Sequence, residues 1–195
     1  MKQKLIEAAA EILDWAVAQK IPAYLIGGMA VQRWGEPRLT RDVDVSLFIG
    51  FGNEQIVIRE LLKHFRPRRD GMEEFALQNR VVLLHATNGA PLNVALGAFV
   101  FEEESAKRAS PYMYTSESAL LTCSAEDLVI MKVFAGRPID VIDVERILIR
   151  QGKALNLRHI RHWLAMLADL KDDPDLAKPF EDALKKVEML RGGRQ

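Results

Sequence analysis

The chain of 195 residues is long enough to bury a substantial core, as one domain with an appendage or as two small lobes. Hydrophobic residues make up 49% and charged residues 28%, and no apolar run reaches the length of a membrane helix, so no membrane partner is expected. Lys plus Arg and Asp plus Glu number 27 each, and this zero formal charge argues against a global field that draws the protein onto nucleic acid.

Residues 3 to 19 place Leu5, Ile6, Ala9, Ile12, Leu13 and Val17 at helical spacing. Acidic residues interrupt this stretch and no small-residue cleavage site follows, so it reads as an amphipathic helix rather than a signal peptide, and a cytoplasmic location is the default. Ala23 to Ile26 is a short apolar strand closed by Gly27 and Gly28, and Met29 to Trp34 is a brief helix ended by Gly35 and Pro37. From Asp42 to Ile49 the pattern alternates, with Val43, Val45, Leu47 and Ile49 on one strand face and Asp42, Asp44, Ser46 and Phe48 on the other. Residues 53 to 66 form a helix with Asn53 as its cap and Pro67 as its stop. Asn88-Gly89 joins the segments 80 to 87 and 91 to 97 into a hairpin. Phe101 to Ala109 is a short charged helix, and Met113 to Thr122 adds a strand or two.

Ser124 then caps a helix with Asp127 three positions on. Residues 124 to 190 show three or four helices and no strand, broken at Arg137-Pro138, near Gly152 and at Asp172 to Pro174. The expected plan is an α+β domain over residues 1 to 123 and a helical lobe over 124 to 195. Cys123 is the single cysteine and has no disulfide partner. Two basic clusters, residues 64 to 70 and 158 to 163, read either as solvated helix faces or as contacts for RNA or phosphate.

Two residues along a strand advance roughly 6.6 Å and return to the same face, so Asp42 and Asp44 can aim both carboxylates at one region. Two like charges so placed need a cation, and Mg2+ is held by one or two carboxylates together with substrate phosphates. A strand entering a glycine pair and then a helix exposes backbone N–H groups to phosphate oxygens. Paired glycines also close ordinary turns, and Asp-x-Asp also occurs on solvated edges; the order and spacing of the pieces favour the functional reading.

Gly27-Gly28, the short helix, the run Arg38-x-Thr40-x-Asp42-x-Asp44 and the apolar strand after it resemble the signature of the nucleotidyltransferase superfamily typified by DNA polymerase beta. More narrowly they resemble minimal bacterial nucleotidyltransferases and the AbiEii abortive-infection toxin group. The segment from Ser124 to Leu148, with its Ser-x-Glu-Asp-Leu start, Lys132, Arg137-Pro138 and the aspartates Asp140 and Asp143, is similar to theirs. The resemblance implies a nucleotidyltransferase-like mixed sheet flanked by helices. It implies that Gly27, Gly28, Arg38, Thr40 and Lys132 bind the nucleotide and that Asp42 and Asp44 ligate Mg2+, or Mn2+ in its place. The activity it implies is transfer of an NMP from an NTP to a hydroxyl acceptor on an RNA end, a protein or a small molecule, in a toxin-like protein with an antitoxin partner. Arg41 is a further candidate for a phosphate contact or an ion pair. Asp140 and Asp143 read either as cleft residues or as helix-start charges.

One position departs from the pattern. Active members carry a third carboxylate on a later strand, whereas the matching strand PLNVALG offers Asn93. An amide oxygen can ligate a metal but brings no charge and accepts no proton, so Asn93 joins Asp42 and Asp44 as a catalytic position with a large deficit expected. His85 or Glu102 to Glu104 are the candidates to replace the lost group. The alternative to an enzyme is a catalytically impaired member that binds nucleotide or a partner. A sugar transferase using Asp-x-Asp fits less well, because no doubly wound nucleotide-binding half is present.

Overall fold

The computed structural model describes residues 2 to 192, and the chain divides into two compact units. The first holds the chain up to Ala30 together with Leu39–Cys123; the second holds Val31–Arg38 and the chain from Ser124 onward.

The first unit is built on a seven-stranded mixed sheet: β1 (Ala23–Leu25), β2 (Val43–Phe48), β3 (Arg66–Pro67), β4 (Val81–His85), β5 (Pro91–Gly97), β6 (Ser110–Met113) and β7 (Ala119–Thr122). They lie in the order β3-β4-β5-β2-β1-β7-β6. β2 runs parallel to β5 and antiparallel to β1, β1 is parallel to β7, and the outer pairs are antiparallel hairpins or arches. Val43, Val45 and Leu47 form the buried face of β2, as the alternation implies. They share one core with Val82, Leu84, Leu92 and Val94 and with the apolar stripe of α1 (Lys2–Ala18), where Ile6, Ala9, Ile12 and Ala16 are buried. This mixed sheet with flanking helices is the expected α+β architecture.

Local differences from the sequence reading have local causes. Val17 is 76% exposed because Ala16, one position earlier, takes the last inward place of the stripe. The helix α3 spans Glu54–His64, not 53 to 66, since Arg66 and Pro67 leave it to pair with His85 and Leu84. Asn53 stands at its N-cap position without capping it; the side chain turns back and donates to the Ile49 carbonyl at 2.9 Å. Met72–Asn79 forms a further helix, α4, and the charged helix is α5, Val100–Arg108. The 86 to 90 loop is closed by Asn88, whose Oδ1 accepts from Ala90 N–H at 3.0 Å, and by Gly89 at φ 77°.

The short helix α2 (Gly27–Trp34) contributes its first residues to the first unit and the rest to the second. The second unit otherwise comprises α6 (Ala125–Ala135), α7 (Pro138–Gln151), a single 3-10 turn, α8 (Leu157–Lys171) and α9 (Lys178–Gly192). Ser124 caps α6 by accepting from Asp127 N–H at 3.1 Å, Gly136 ends it in the left-handed conformation, and Pro138 opens α7. Leu128, Ile147, Ile160, Leu164 and Phe180 are fully buried. No described helix is long and apolar enough to cross a membrane.

Candidate functional site

Asp44 lies on β2, in the interior of the sheet, where its Cα is the register partner of Asn93 on the parallel neighbour β5. Asp42 immediately precedes β2 and, two residues from Asp44, shares its face. The Asn93 Nδ2 group donates to Asp42 Oδ2 and to Asp44 Oδ1, each at 2.9 Å. Both carboxylates therefore converge on one point. The amide oxygen of Asn93 faces the other way and accepts from Arg68 Nη1 at 2.8 Å. That contact fixes the orientation of the amide, because a guanidinium has donors only. An oxygen ligand at position 93 is thus engaged by Arg68, and hydrogens face the aspartates.

Thr40 completes the group from the loop before β2. It is nearly buried, with Oγ1 3.3 Å from both the carbonyl and the Oδ1 of Asp42. Gly27 and Gly28 begin α2 beside these side chains. Gly28 N–H points at Asp44 Oδ2 across 3.4 Å. Gly27 has φ +60°, and a Cβ there would fall 2.0 Å from Asp44 Oδ2, while one on Gly28 would fall 2.5 Å from Thr40 Oγ1. Neither glycine tolerates a side chain without displacing an Asp44 or Thr40 side chain. Packing against Asp44 and Thr40 by itself imposes glycine at both positions.

Among the described residues, no group of three or more His, Cys, Asp or Glu side chains is placed to hold an ion. Asp42 and Asp44, bridged by the Asn93 Nδ2 group, are the two hard anionic ligands that could hold a Mg2+ or Mn2+ ion. Glu102 is occupied elsewhere, accepting from the N–H groups of Ala98 at 2.7 Å and Phe99 at 2.9 Å, and Glu103 and Glu104 pair with Lys107. His85 lies on β4, opposite Pro91, on the face that carries Asn93.

The other anticipated nucleotide ligands, Arg38 and Lys132, belong to the second unit and meet around a buried acid pair. Lys132 is 4% exposed, and its Nζ lies 2.7 Å from Asp140 Oδ1 and 2.9 Å from Asp143 Oδ2. Arg38 makes a two-pronged pair with Asp143, both contacts at 2.8 Å, and Arg137 reaches Asp140 Oδ2 at 2.6 Å. Three cations thus surround two fully buried carboxylates. Burial would raise both acids, yet hydrogen bonds from Arg137 and Lys132 to Asp140, and from Arg38 and Lys132 to Asp143, outweigh it and hold both below the usual range. Asp140, in the first turn of α7 as the helix-start reading has it, and Asp143 therefore serve as ion-pair centres. Their i,i+3 spacing on one helix and a lysine eight positions before Asp140 were the available signals.

No family model matches the sequence, and no curated protein matches it. Among solved structures, the fold is similar to that of the antibiotic-resistance factor ANT(2'')-Ia, with TM-score 0.56 and 12% identity over 88% of this chain and 97% of that one. It is also similar to an antigenic nucleotidyltransferase-like protein from Paracoccidioides brasiliensis, with TM-score 0.51 and 15% identity over 92% of this chain and 93% of that one. The chain therefore has a nucleotidyltransferase-like fold.

Proposed function

We propose that the protein is a metal-dependent nucleotidyltransferase that moves an NMP from an NTP to a hydroxyl acceptor. The observation that carries this reading is the convergence of the Asp42 and Asp44 carboxylates on one point beside the Gly27-Gly28 turn. Asp42 and Asp44 would hold Mg2+, which when bound neutralises triphosphate charge and polarises the phosphoryl group. The opening turn of α2 would offer backbone N–H groups to the phosphates, that of Gly28 being shared with Asp44 Oδ2. Thr40 steadies Asp42 by its hydroxyl. Asn93 accepts no proton, which leaves the carboxylates of Asp42 and Asp44 to accept one from an incoming hydroxyl. Arg38 and Lys132, in the second unit, are ordered by the Asp140 and Asp143 carboxylates.

The test is transfer of label from α-labelled ATP, CTP, GTP and UTP, with Mg2+ or Mn2+, to RNA, protein and small-molecule fractions of a cell extract. Label should move to one fraction, and Asp44→Asn should abolish the transfer. Label remaining entirely in NTP for every nucleotide would remove the catalytic reading.

Asn93 favours a second reading, an impaired enzyme that binds nucleotide or a partner. Its signature is NTP binding that survives while transfer is undetectable. The resemblance to the AbiEii group supports a toxin-like role with an antitoxin partner, which growth arrest on expression, relieved by a co-expressed neighbouring gene product, would reveal.

A further inference from the structure

The sheet face that carries the aspartates continues across three more strands. Asp44 is opposite Asn93, Asn93 is opposite Leu83, and Arg68 N–H donates to the Leu83 carbonyl at 2.9 Å, so Asp44, Asn93, Leu83 and Arg68 form one cross-strand row. A second row on the same face runs through Pro91, His85 and Arg66, which are successive register partners, with Asp42 at the β2 side. Both rows start on arginine at the β3 edge and end on aspartate in the middle of the sheet. Apart from Asp42 and Asp44, no strand residue on this face of β3, β4 and β5 carries a carboxylate.

The arginines differ in occupancy. Arg68 spends a donor on Asn93, while the Arg66 side chain is exposed and has no hydrogen-bond or ion-pair partner among the described residues. The His85 Nδ1 is sealed without a partner, leaving only its other ring nitrogen for a ligand. The Gly27-Gly28 turn follows β1, which flanks β2 on the side away from β5. In-line phosphoryl transfer places the attacking hydroxyl opposite the leaving pyrophosphate, so a triphosphate held on the β1 side is approached from the β5 side.

We infer that the face formed by β5, β4 and β3 is the acceptor site, and that the acceptor is a phosphate-bearing molecule whose phosphate is held by Arg66 with support from Arg68 while its hydroxyl lies at Asp42 and Asp44. This rests on the nucleotidyltransferase reading. Three interstrand spacings separate β2 from β3, roughly 14 Å, and an arginine leaning inward shortens that span to about the length of one or two nucleotide units or a small phosphorylated polyol. A polycationic acceptor would meet two arginines and is disfavoured.

The experiment uses the full chain, wild type and Arg66→Glu, a substitution at an exposed side chain with no partner to lose. Three binding measurements are made: a labelled single-stranded RNA decamer with a free 3′-hydroxyl, glycerol 3-phosphate, and MgATP. Wild type should bind one of the two phosphate-bearing probes, and Arg66→Glu should weaken that probe by about tenfold or more, as loss of a charged hydrogen bond implies. MgATP affinity should be unchanged. Binding of the decamer alone assigns a nucleic-acid acceptor, and binding of glycerol 3-phosphate alone assigns a small ester. If neither probe binds, or if Arg66→Glu binds as the wild type does, the acceptor inference is overturned while MgATP binding still supports the nucleotidyltransferase reading. Loss of MgATP binding in the wild type, with Arg66-dependent probe binding retained, would instead sink that reading.

Discussion

Asp44 and Asn93 face each other across the parallel pair of β2 and β5, and one amide group bridges Asp44 to Asp42 at 2.9 Å on each side. Asn93→Asp would exchange two donated hydrogen bonds for a third negative charge. Without divalent ion the variant should lose about 1–3 kcal/mol, the usual cost of unsatisfied or repelling buried polar groups, partly relieved by Arg68. Mg2+ or Mn2+ at a hundredfold excess over the variant's Kd should then stabilise the variant by roughly 2.7 kcal/mol, and the wild type by less. Urea unfolding with and without ion checks both parts; ion-independent stability in the variant would mean that the carboxylates do not form a metal site.

Gly27→Ala should be costly in fold and site together. The added Cβ would fall 2.0 Å from Asp44 Oδ2 in a backbone conformation that side chains rarely adopt. A loss of about 1–3 kcal/mol is expected from overpacking and backbone strain. Denaturant midpoints measure the stability part. Weaker Mn2+ binding than in the wild type, measured where the variant is still folded, would report the displaced aspartate.

Asp143→Ala leaves Arg38 without its two-pronged partner and Lys132 with Asp140 alone. Breaking a buried ion network by removing one partner costs about 3–5 kcal/mol. Denaturant unfolding of the variant should show this loss. A change below about 0.5 kcal/mol, the range of ordinary surface substitutions, would show the network to be energetically idle.

The same acids set an acid limit. Asp140 and Asp143 are held below their ordinary values in the folded protein, so the unfolded chain takes up protons first as pH falls. Their stabilisation is fully present above the unfolded value of about 3.9 and is lost as pH drops through the lower folded values. Unfolding free energy measured from pH 6 to pH 2 should decline steeply below about pH 4, and the decline should be shallower in Asp143→Ala.

Much of this was legible because it depends on short-range pattern. The alternation of β2 gave the buried Val43, Val45 and Leu47 and the shared face of Asp42 and Asp44. Ser124 marked one helix start by its side-chain cap and Pro138 a second by its fixed backbone. The helix α4 was not legible, since it buries little beyond Met72 and Ala76 and begins after a left-handed Gly71 with no side-chain cap. Asn53 was misread as a cap because a side-chain amide has competing backbone targets, and here the Ile49 carbonyl wins. In the site, the Asn93 substitution was visible, but its link to Arg68 depends on the pairing of β3 with β4, which two residues of strand cannot announce. The partners of Arg38 and Lys132 were hidden for a related reason: residue 38 meets residue 143 only through tertiary folding.

The strand that bears Asp44 is fourth of seven and hydrogen-bonded along both flanks, to β1 and to β5. Its amides exchange with solvent only when a neighbouring strand peels away, so those of Val45 and Leu47 belong with the most slowly exchanging hydrogens of the first unit. The two carboxylates are therefore anchored where thermal opening is rarest, whereas Arg66 and Arg68 stand at a two-residue edge strand that frays readily. Whatever adapts to a bound molecule on this face adapts at the arginine end and not at the aspartates.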